Sequence, residues 1–328
     1  DAVSWSVLVE DLASAYRQAL EGRASVELPA RTDSFQAWSL ALRRYADRMP
    51  PEERAYWEQV DRSLAGVPTP GDEPAAPGRN RDSASMGLVL PAERTQPLLG
   101  EANRAYGTQT GELVLVAFTR ALKTWMGGNR FALAMEGHGR TPSLMGDLDV
   151  SRTVGWFTCV YPLVLELAER EDVSLHIKQV KESLRQVPSQ GVGHGVLRSQ
   201  RGTLLSAQEP RISFNYLGQS GDGVWPAPFA SASEFAGTLQ HPEAPRLFAL
   251  DVLASVENGR LQVELSYDST RFTPDRMRAL VEALRQQLEL VTTHCVTRDA
   301  PELTPSDIDY AGMSIDELDA VMNAITAG

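Results

Sequence analysis

The sequence predicts an α+β sandwich, on three observations. Helical and extended patterns are mixed along the chain, which favours α+β over a doubly wound sheet. Asn258-Gly259 separates two extended runs, and this pair accepts the positive φ values of a tight hairpin turn. The glycine-rich segments 188–195 and 218–223 lack the preceding strand or the spacing of a dinucleotide fingerprint.

Three helices are expected in the first part of the chain. Residues 3–21 carry apolar side chains at steps of three and four, which is typical of an amphipathic helix. The apolar stripe of this helix comprises Trp5, Leu8, Leu12 and Tyr16, and Asp1 or Ser4 could cap its start. Residues 34–48 and 52–64 give two further helices. Residues 67–78 hold four prolines and two glycines and therefore form a linker.

The second part of the chain mixes strands and helices. Strands are predicted at 86–90, 130–136, 160–167, 211–217, 247–256 and 261–267. Helices are predicted at 91–105, 113–125, 173–186 and from Thr273 onwards, where Thr273 caps the helix and Pro274 takes its first position. Apolar and polar residues alternate over 261–267, so one face of that strand meets water.

The C-terminal segment is expected to be separate. Residues 301–305 form a proline-marked linker, and Ser314 with Glu317 matches a capping box. The following acidic helix has one apolar face, formed by Ile315, Leu318, Met322 and Ile325. A helix this short is not stable alone, so we expect it to dock in a partner's groove. The alternative is that it packs on its own domain.

Composition excludes several classes of protein. The 328 residues include 31 Lys+Arg and 43 Asp+Glu, for a formal net charge of -12, which disfavours nucleic acid as a partner. No run approaches the ~20 apolar residues of a membrane span. Cys159 and Cys295 allow at most one disulfide, and reduced thiols in a cytoplasmic protein are expected. The 5 histidines show no ligand-pair spacing, so no metal site is predicted.

Two strand ends carry candidate chemistry. Glu136 ends an apolar strand, and Gly137 and Gly139 follow it. A carboxylate beside apolar walls has a raised pKa, which suits general acid–base work; the alternative is a solvated glutamate. Asn215 and Tyr216 end another strand and could hydrogen-bond a carbonyl group, although an ordinary strand-to-loop transition would show the same residues.

Taken in order, these segments resemble the signature series of epimerization domains of nonribosomal peptide synthetases. The matching motifs are Glu136-Gly-His-Gly-Arg140, Ser151-Arg-Thr-Val-Gly-Trp-Phe-Thr158, the 188–195 loop and Phe214-Asn-Tyr-Leu-Gly-Gln219. Asp1-Ala-Val-Ser-Trp5 resembles the end of the family motif H-H-x-x-x-D-G-V-S-W, and residues 304–307 resemble the family's C-terminal edge. The departures are Ala2 for the motif glycine, Thr141 for an acidic residue and His194 for a frequent aromatic one.

The resemblance implies a fold like chloramphenicol acetyltransferase, with two similar lobes and the active site between them. This chain would hold mostly the second lobe. Residues 1–66 would be the helical remnant of the first lobe with its crossover, 67–79 a linker and 80–300 the second lobe. Residues 301–312 would be a second linker, and 313–328 a docking helix.

The resemblance also implies a reaction, the L-to-D epimerization of the α-carbon of an aminoacyl or peptidyl thioester. The phosphopantetheine arm of an upstream peptidyl carrier protein domain would carry that substrate, and no cofactor would bind directly. Glu136 takes the place of the family's catalytic glutamate. The expected substrate-binding residues are Asn215, Tyr216, Trp156 and Arg140. The expected structural motif residues are Asp1, Ser4, Trp5, Gly137, Gly139, Arg152 and Gly218.

Two further expectations concern what lies beyond the chain. The helix at 313–328 would recruit the downstream condensation domain of another synthetase. The two motif histidines would precede Asp1, so the chain suggests a cut through a larger protein and is expected not to epimerize by itself. A partial domain that acts as a scaffold or docks a carrier, and an acyl-transferring condensation domain, are the alternatives.

Overall fold

The computed structural model describes residues 1–71, 78–141, 144, 146–199, 209–220, 226–229, 232, 234, 237–238, 240–308 and 312–326. Its centre is a six-stranded sheet of order β1-β6-β5-β4-β2-β3. The strands are Ser83–Leu90 (β1), Arg130–Gly137 (β2), Cys159–Glu166 (β3), Ile212–Ser220 (β4), Leu250–Glu257 (β5) and Arg260–Asp268 (β6). The α+β prediction is confirmed, and each predicted strand overlaps one of these.

The helices lie before, between and after the strands, mostly in groups of two or three. The first five are Ala2–Leu20 (α1), Phe35–Arg48 (α2), Pro51–Leu64 (α3), Ala92–Leu99 (α4) and Glu101–Arg104 (α5). The others are Thr110–Met126 (α6), Val173–Arg185 (α7), Val192–Ser199 (α8), Pro274–Val296 (α9) and Ile315–Thr326 (α10). The linker prediction for 67–79 falls partly outside the described residues, because 72–77 are not among them.

Two parallel strand pairs lie in the middle of the sheet. β2 pairs with β4 in parallel, and β4 pairs with β5 in parallel, whereas the other neighbours are antiparallel. The β5–β6 hairpin turns at Asn258 and Gly259, whose φ values are 49° and 75°, as the sequence predicts. Parallel pairing brings the carboxyl ends of β2 and β4 to the same edge of the sheet.

The hydrophobic core lies between one face of the sheet and the helices α4, α6, α7 and α9. Alternate residues of β5 and β6 are buried against these helices, among them Val252, Ala254, Val263 and Leu265. On the opposite face of β5 the alternate residues are accessible. Polar side chains on this face of the sheet, including those at the strand ends, can therefore contact solvent.

Three predicted elements differ from the structure. The single helix expected at 91–105 is interrupted at Gly100, whose φ of -130° and ψ of -79° are not helical. The helix expected from residue 113 begins at Thr110, because Gln109 and Glu112 form a capping box there. The second half of the predicted 188–195 loop belongs to α8, because burial of Val196 and Leu197 stabilises a helix.

Helix α1 exposes the apolar stripe that the sequence analysis identifies. Its start is capped as expected, with Oδ1 of Asp1 accepting a hydrogen bond from the backbone N–H of Ser4 at 2.9 Å. The side that packs on the protein carries Ser4, Val7 and Ala13 instead. The stripe side chains, Trp5, Leu8, Leu12 and Tyr16, are exposed, although the Tyr16 ring lies 6.5 Å from the ring of Phe229.

The C-terminal segment is fixed to the domain rather than detached from it. The buried ammonium of Lys181 lies 2.6 Å from Asp307, and the buried ammonium of Lys178 lies 2.9 Å from Glu302 and 2.5 Å from Asp319 of α10. Buried charges require such partners. Leu318 is only 4% exposed, so this part of the predicted docking face packs on its own domain.

In the described ranges of the chain, no helix has the length and apolar character needed to span a membrane. No group of three or more His, Cys, Asp or Glu side chains is arranged there to hold a metal ion. Cys159 and Cys295 are free thiols.

Candidate active site

A cleft of about 1060 Å³ opens at the carboxyl ends of β2 and β4. Its walls come from the starts of α1, α6 and β3, from the ends of β2 and β4, and from the end of α7 with the turn after it. The cleft therefore lies where two adjacent parallel strands stop, and polar groups at those strand ends face one space.

Glu136 and Asn215 meet in this cleft. The Nδ2 amide of Asn215 donates a hydrogen bond of 2.7 Å to Oε2 of Glu136. The parallel register pairs Met135 with Phe214, so Glu136 and Asn215 are the next residues on adjacent strands. The amide orients the carboxylate and leaves Oε1 free of that bond.

The carboxyl group of Glu136 has a raised pKa. Shielding of the carboxylate from water within the cleft is the main cause, and repulsion by Asp251 on β5 is the second. The side chain is nonetheless accessible from the cleft. A carboxyl group that is both reachable and more basic than usual can take and return a proton.

Tyr216 forms a wall of the cleft beside α6. A Cβ atom at Gly111 would lie 2.7 Å from the Tyr216 ring, so the ring packs directly on the helix backbone. Burial raises the pKa of Tyr216, and the phenol stays protonated. Gly218, with a φ of 83°, lies in the irregularity of the β4–β5 register after Tyr216 and also lines the cleft.

Arg140, which the resemblance implies to bind substrate, lies in a buried network and is not among the residues that line the cleft. Its guanidinium donates to the side chains of Asp1 and Ser4 and to the carbonyl oxygens of Val150 and Thr153. It also lies 3.8 Å from the centroid of the Phe157 ring. With all these partners, Arg140 joins the start of α1 to the 150–157 segment and braces the cleft.

Asp1 and Ser4 complete the same network. Asp1 accepts a hydrogen bond of 3.2 Å from the backbone N–H of Phe157. The Ser4 hydroxyl donates to the carbonyl oxygen of Gly155 at 2.8 Å and accepts from its N–H at 3.0 Å. Asp1 also lines the cleft, so these contacts join the cleft wall to the 155–157 segment.

Two motif glycines allow close backbone contacts. A Cβ at Gly137 would lie 2.5 Å from the carbonyl oxygen of Gln190 and 2.9 Å from Sγ of Cys159. Gly139 has a φ of 69°, and a Cβ there would lie 2.7 Å from the carbonyl carbon of Phe157. These positions exclude any side chain, and they fix β2 against the segments on either side of it.

The remaining predicted site residues lie away from the cleft. Trp156 is 76% exposed and is not among the residues that line it, so the structure does not place this side chain at the substrate. Trp5 is 63% exposed and contributes no core packing. Arg152 pairs with Glu10 at 3.0 Å and with Asp11 at 2.5 Å, and these ion pairs join α1 to the 151–158 motif.

Sequence reasoning missed Asp251 and Gln190. Asp251 pairs with Ser213 across β4 and β5, and its only sequence signal was a charge at an outward position of an alternating strand. Gln190 lines the cleft from a turn in which Ser189, Gln190 and Gly191 have positive φ. Of these residue types only glycine favours positive φ, so the sequence did not indicate this conformation at Gln190. Both depend on pairings between segments that are distant in sequence.

The family model and the curated proteins that match this chain agree with each other. Residues 1–313 match the family described as Condensation domain. Surfactin synthase subunit 1 of Bacillus subtilis (strain 168) is 36% identical over 98% of this chain and 9% of its own length. Gramicidin S synthase 1 of Brevibacillus brevis is 32% identical over 99% of this chain and 31% of its own length. The chain therefore spans only a minor part of these relatives.

Solved structures give the same result. The epimerization domain from the third module of tyrocidine synthetase B is 34% identical, with a TM-score of 0.82 over 91% of this chain and 68% of that chain. The first condensation domain of the calcium-dependent antibiotic synthetase is 18% identical, with a TM-score of 0.62 over 92% of this chain and 63% of that chain. The second similarity shows the fold alone.

Proposed function

This chain belongs to the condensation-domain family, and from that premise we propose that it epimerizes the α-carbon of an aminoacyl or peptidyl thioester. The substrate would be held on the phosphopantetheine arm of an upstream peptidyl carrier protein domain in nonribosomal peptide synthesis. The observation that carries the proposal is the Glu136 carboxylate, which is accessible in the cleft, oriented by Asn215 and has a raised pKa. The similarity to a solved epimerization domain supports it.

Glu136 would act on the proton of the α-carbon. That proton is weakly acidic, so its removal needs a base of matched pKa held in a fixed position. The hydrogen bond from Asn215 fixes the carboxylate, and the shielding that raises its pKa makes it a stronger base. Protonated Glu136 would then return a proton when the reaction runs in the opposite direction.

Inversion also requires a proton donor on the other face of the α-carbon and a group that stabilises the enolate oxygen. Asp1 lines the cleft, so residues that precede it in the full-length synthetase would enter beside the substrate. We place the second group there, in agreement with the paired histidines that the resemblance implies. The exposed apolar stripe of α1 would pack on the first lobe.

Epimerization is tested directly by exchange at the α-carbon. The full-length synthetase, loaded with the L-aminoacyl thioester in deuterated water, is expected to give both D-product and deuterium at the α-carbon. Acyl transfer without exchange would support a condensation domain instead. Carrier binding with neither reaction would support a scaffold.

The pH dependence of the reaction is expected to follow Glu136. Since Asp251 contributes to the raised pKa, Asp251→Asn should lower the pKa of Glu136 and keep it deprotonated in more acidic solution. The acid limb of kcat/KM should therefore move to lower pH, and the measurement is the pH profile of D-product formation.

A matched control for this prediction is Glu257→Gln. Glu257 lies at the far end of the same strand and is exposed, so its replacement should leave the profile unchanged. An unchanged acid limb in Asp251→Asn, or a move to higher pH, would contradict the assignment of Glu136 as the base.

The C-terminal helix is proposed to recruit a downstream condensation domain through its outer side. Val321 and Met322 are 45% and 38% exposed, and Asp316 and Glu317 add negative charge in the first turn. An apolar groove with basic rims would fit this surface. Leu318 and Asp319 face the domain itself, so the helix is oriented before a partner arrives.

Deletion of residues 313–328 should separate docking from catalysis. Glu302 remains to pair with Lys178, and the helix does not line the cleft, so epimerization should stay within about twofold of the full-length rate. Transfer of the D-product to the downstream synthetase should fall about tenfold or more. Transfer in trans at the original rate would contradict the docking role.

A further inference from the structure

Glu53 of α3 is a buried carboxylate without a cation. Glu53 is 5% exposed, and among the described residues no ion pair joins its carboxylate to a Lys, Arg or His side chain. Three neutral donors face it instead: the Tyr45 hydroxyl, the Ser189 hydroxyl at 2.9 Å and Nε1 of Trp57 at 3.5 Å. Burial and the adjacent carboxylate raise the pKa of Tyr45 to about 12, so this phenol remains a donor.

The carboxylate holds a turn of unfavourable backbone conformation. Ser189 and Gln190 have φ values of 49° and 51°, and Gly191 follows with 86°. Residues other than glycine adopt this left-handed region only when the surroundings keep them there. The bond from Ser189 to Glu53 supplies such a constraint. A Cβ at Gly193 would lie 2.9 Å from the carboxyl carbon of Glu53, so the chain approaches the carboxylate closely on this side as well.

The same turn touches the strand end that carries Glu136. A Cβ at Gly137 would lie 2.5 Å from the carbonyl oxygen of Gln190, so the two backbones are in direct contact. Sγ of Cys159 lies 3.5 Å from that carbonyl oxygen, and Gln190 itself lines the cleft. A shift of the turn would therefore move the wall against which the end of β2 is packed.

We propose that Glu53 is a positioning residue for the reaction at Glu136, acting through Ser189 and the 188–191 turn. The inference rests on the proposed function, because it takes Glu136 as the reacting carboxylate. The buried carboxylate keeps Ser189 and Gln190 in their left-handed conformation. The Gln190 backbone then fixes Gly137 and, with it, the preceding Glu136. A displacement of this kind lowers kcat more than it weakens substrate binding.

Two matched pairs of variants test this role in the full-length synthetase. Glu53→Met removes the acceptor at similar volume, whereas Glu53→Gln keeps an oxygen that can accept from Ser189 and Tyr45. Ser189→Ala removes the hydroxyl donor and keeps the energetic cost of a left-handed φ at this position. Ser189→Gly removes the donor and this cost as well. The measurements are kcat and apparent KM for D-product formation on the carrier thioester, with thermal unfolding as a check of folding.

We expect Glu53→Met and Ser189→Ala to lower kcat about 10- to 100-fold while the apparent KM changes by less than about threefold. Glu53→Gln and Ser189→Gly should recover most of the rate. Wild-type kcat in folded Glu53→Met and Ser189→Ala, or an equal loss in Ser189→Gly and Ser189→Ala, would overturn the proposal. If Glu53→Met does not fold, the Ser189 pair decides. Absence of α-carbon exchange in the wild-type protein would instead overturn the proposed function.

Discussion

Glu136→Gln is expected to abolish L-to-D conversion in the full-length synthetase, with a loss of about 10²- to 10⁴-fold or more in rate. The amide fills the volume of the carboxyl group and can still accept the hydrogen bond from Asn215. It cannot take a proton from the α-carbon at any accessible pH. The measurement is the L:D ratio of the amino acid released from the carrier thioester, together with deuterium incorporation at the α-carbon.

The same substitution should leave the protein as stable as before or slightly more so. The pKa of Glu136 is raised in the folded state, so its contribution to stability is fully present below the unfolded pKa and is lost as the pH rises through the folded pKa. At neutral pH the charged carboxylate therefore lowers the free energy of unfolding, and glutamine removes this unfavourable contribution. A wild-type epimerization rate in Glu136→Gln would show that Glu136 is not the base of the reaction.

Gly139→Ala is expected to destabilise the domain by about 3 kcal/mol. Roughly 1–2 kcal/mol comes from placing a Cβ at a φ of 69°, and about 1–3 kcal/mol comes from the overlap with the Phe157 backbone. Phe157 carries the ring beneath the Arg140 guanidinium, so the cleft should be disturbed and activity should fall with stability. Thermal and urea unfolding measure the loss.

Gly218→Ala is the matched control for this prediction. Its φ of 83° imposes a similar backbone penalty, but among the described residues no atom beyond its two chain neighbours lies within 4 Å of the new Cβ. It should therefore destabilise the domain by about 1–2 kcal/mol only. Equal losses in the two variants would show that backbone conformation alone accounts for Gly139 and that the contact with Phe157 adds nothing.

Local signals in the sequence predicted most of the secondary structure. The hairpin at Asn258-Gly259 and the caps at Asp1 and Thr273 depend on residues within a few positions of each other, and all three are present. Segments whose limits depend on distant contacts were predicted less well. Helix α8 begins in a glycine-rich stretch because burial of its apolar side chains outweighs low helix propensity.

Part of the site was also predictable. Glu136, Asn215 and Tyr216 were identified from polar residues at the ends of apolar strands, and the structure brings these three to one cleft. Arg140 and Trp156 were expected at the substrate because they lie in the same motifs. A motif fixes the position of a residue along the chain, whereas the direction of its side chain depends on the segments that pack around it.

The sequence alone determined the α+β class, the strand ends that carry Glu136 and Asn215, and the resemblance to a family. These follow from periodicity, turn chemistry and ordered motifs, all of which are local in the chain. The tertiary structure decided that β2 and β4 are parallel neighbours, that Asp251 raises the pKa of Glu136, and that Glu53 supports the 188–191 turn. Each of these is a contact between segments far apart in sequence, and such contacts form only when burial of the shared core brings those segments together.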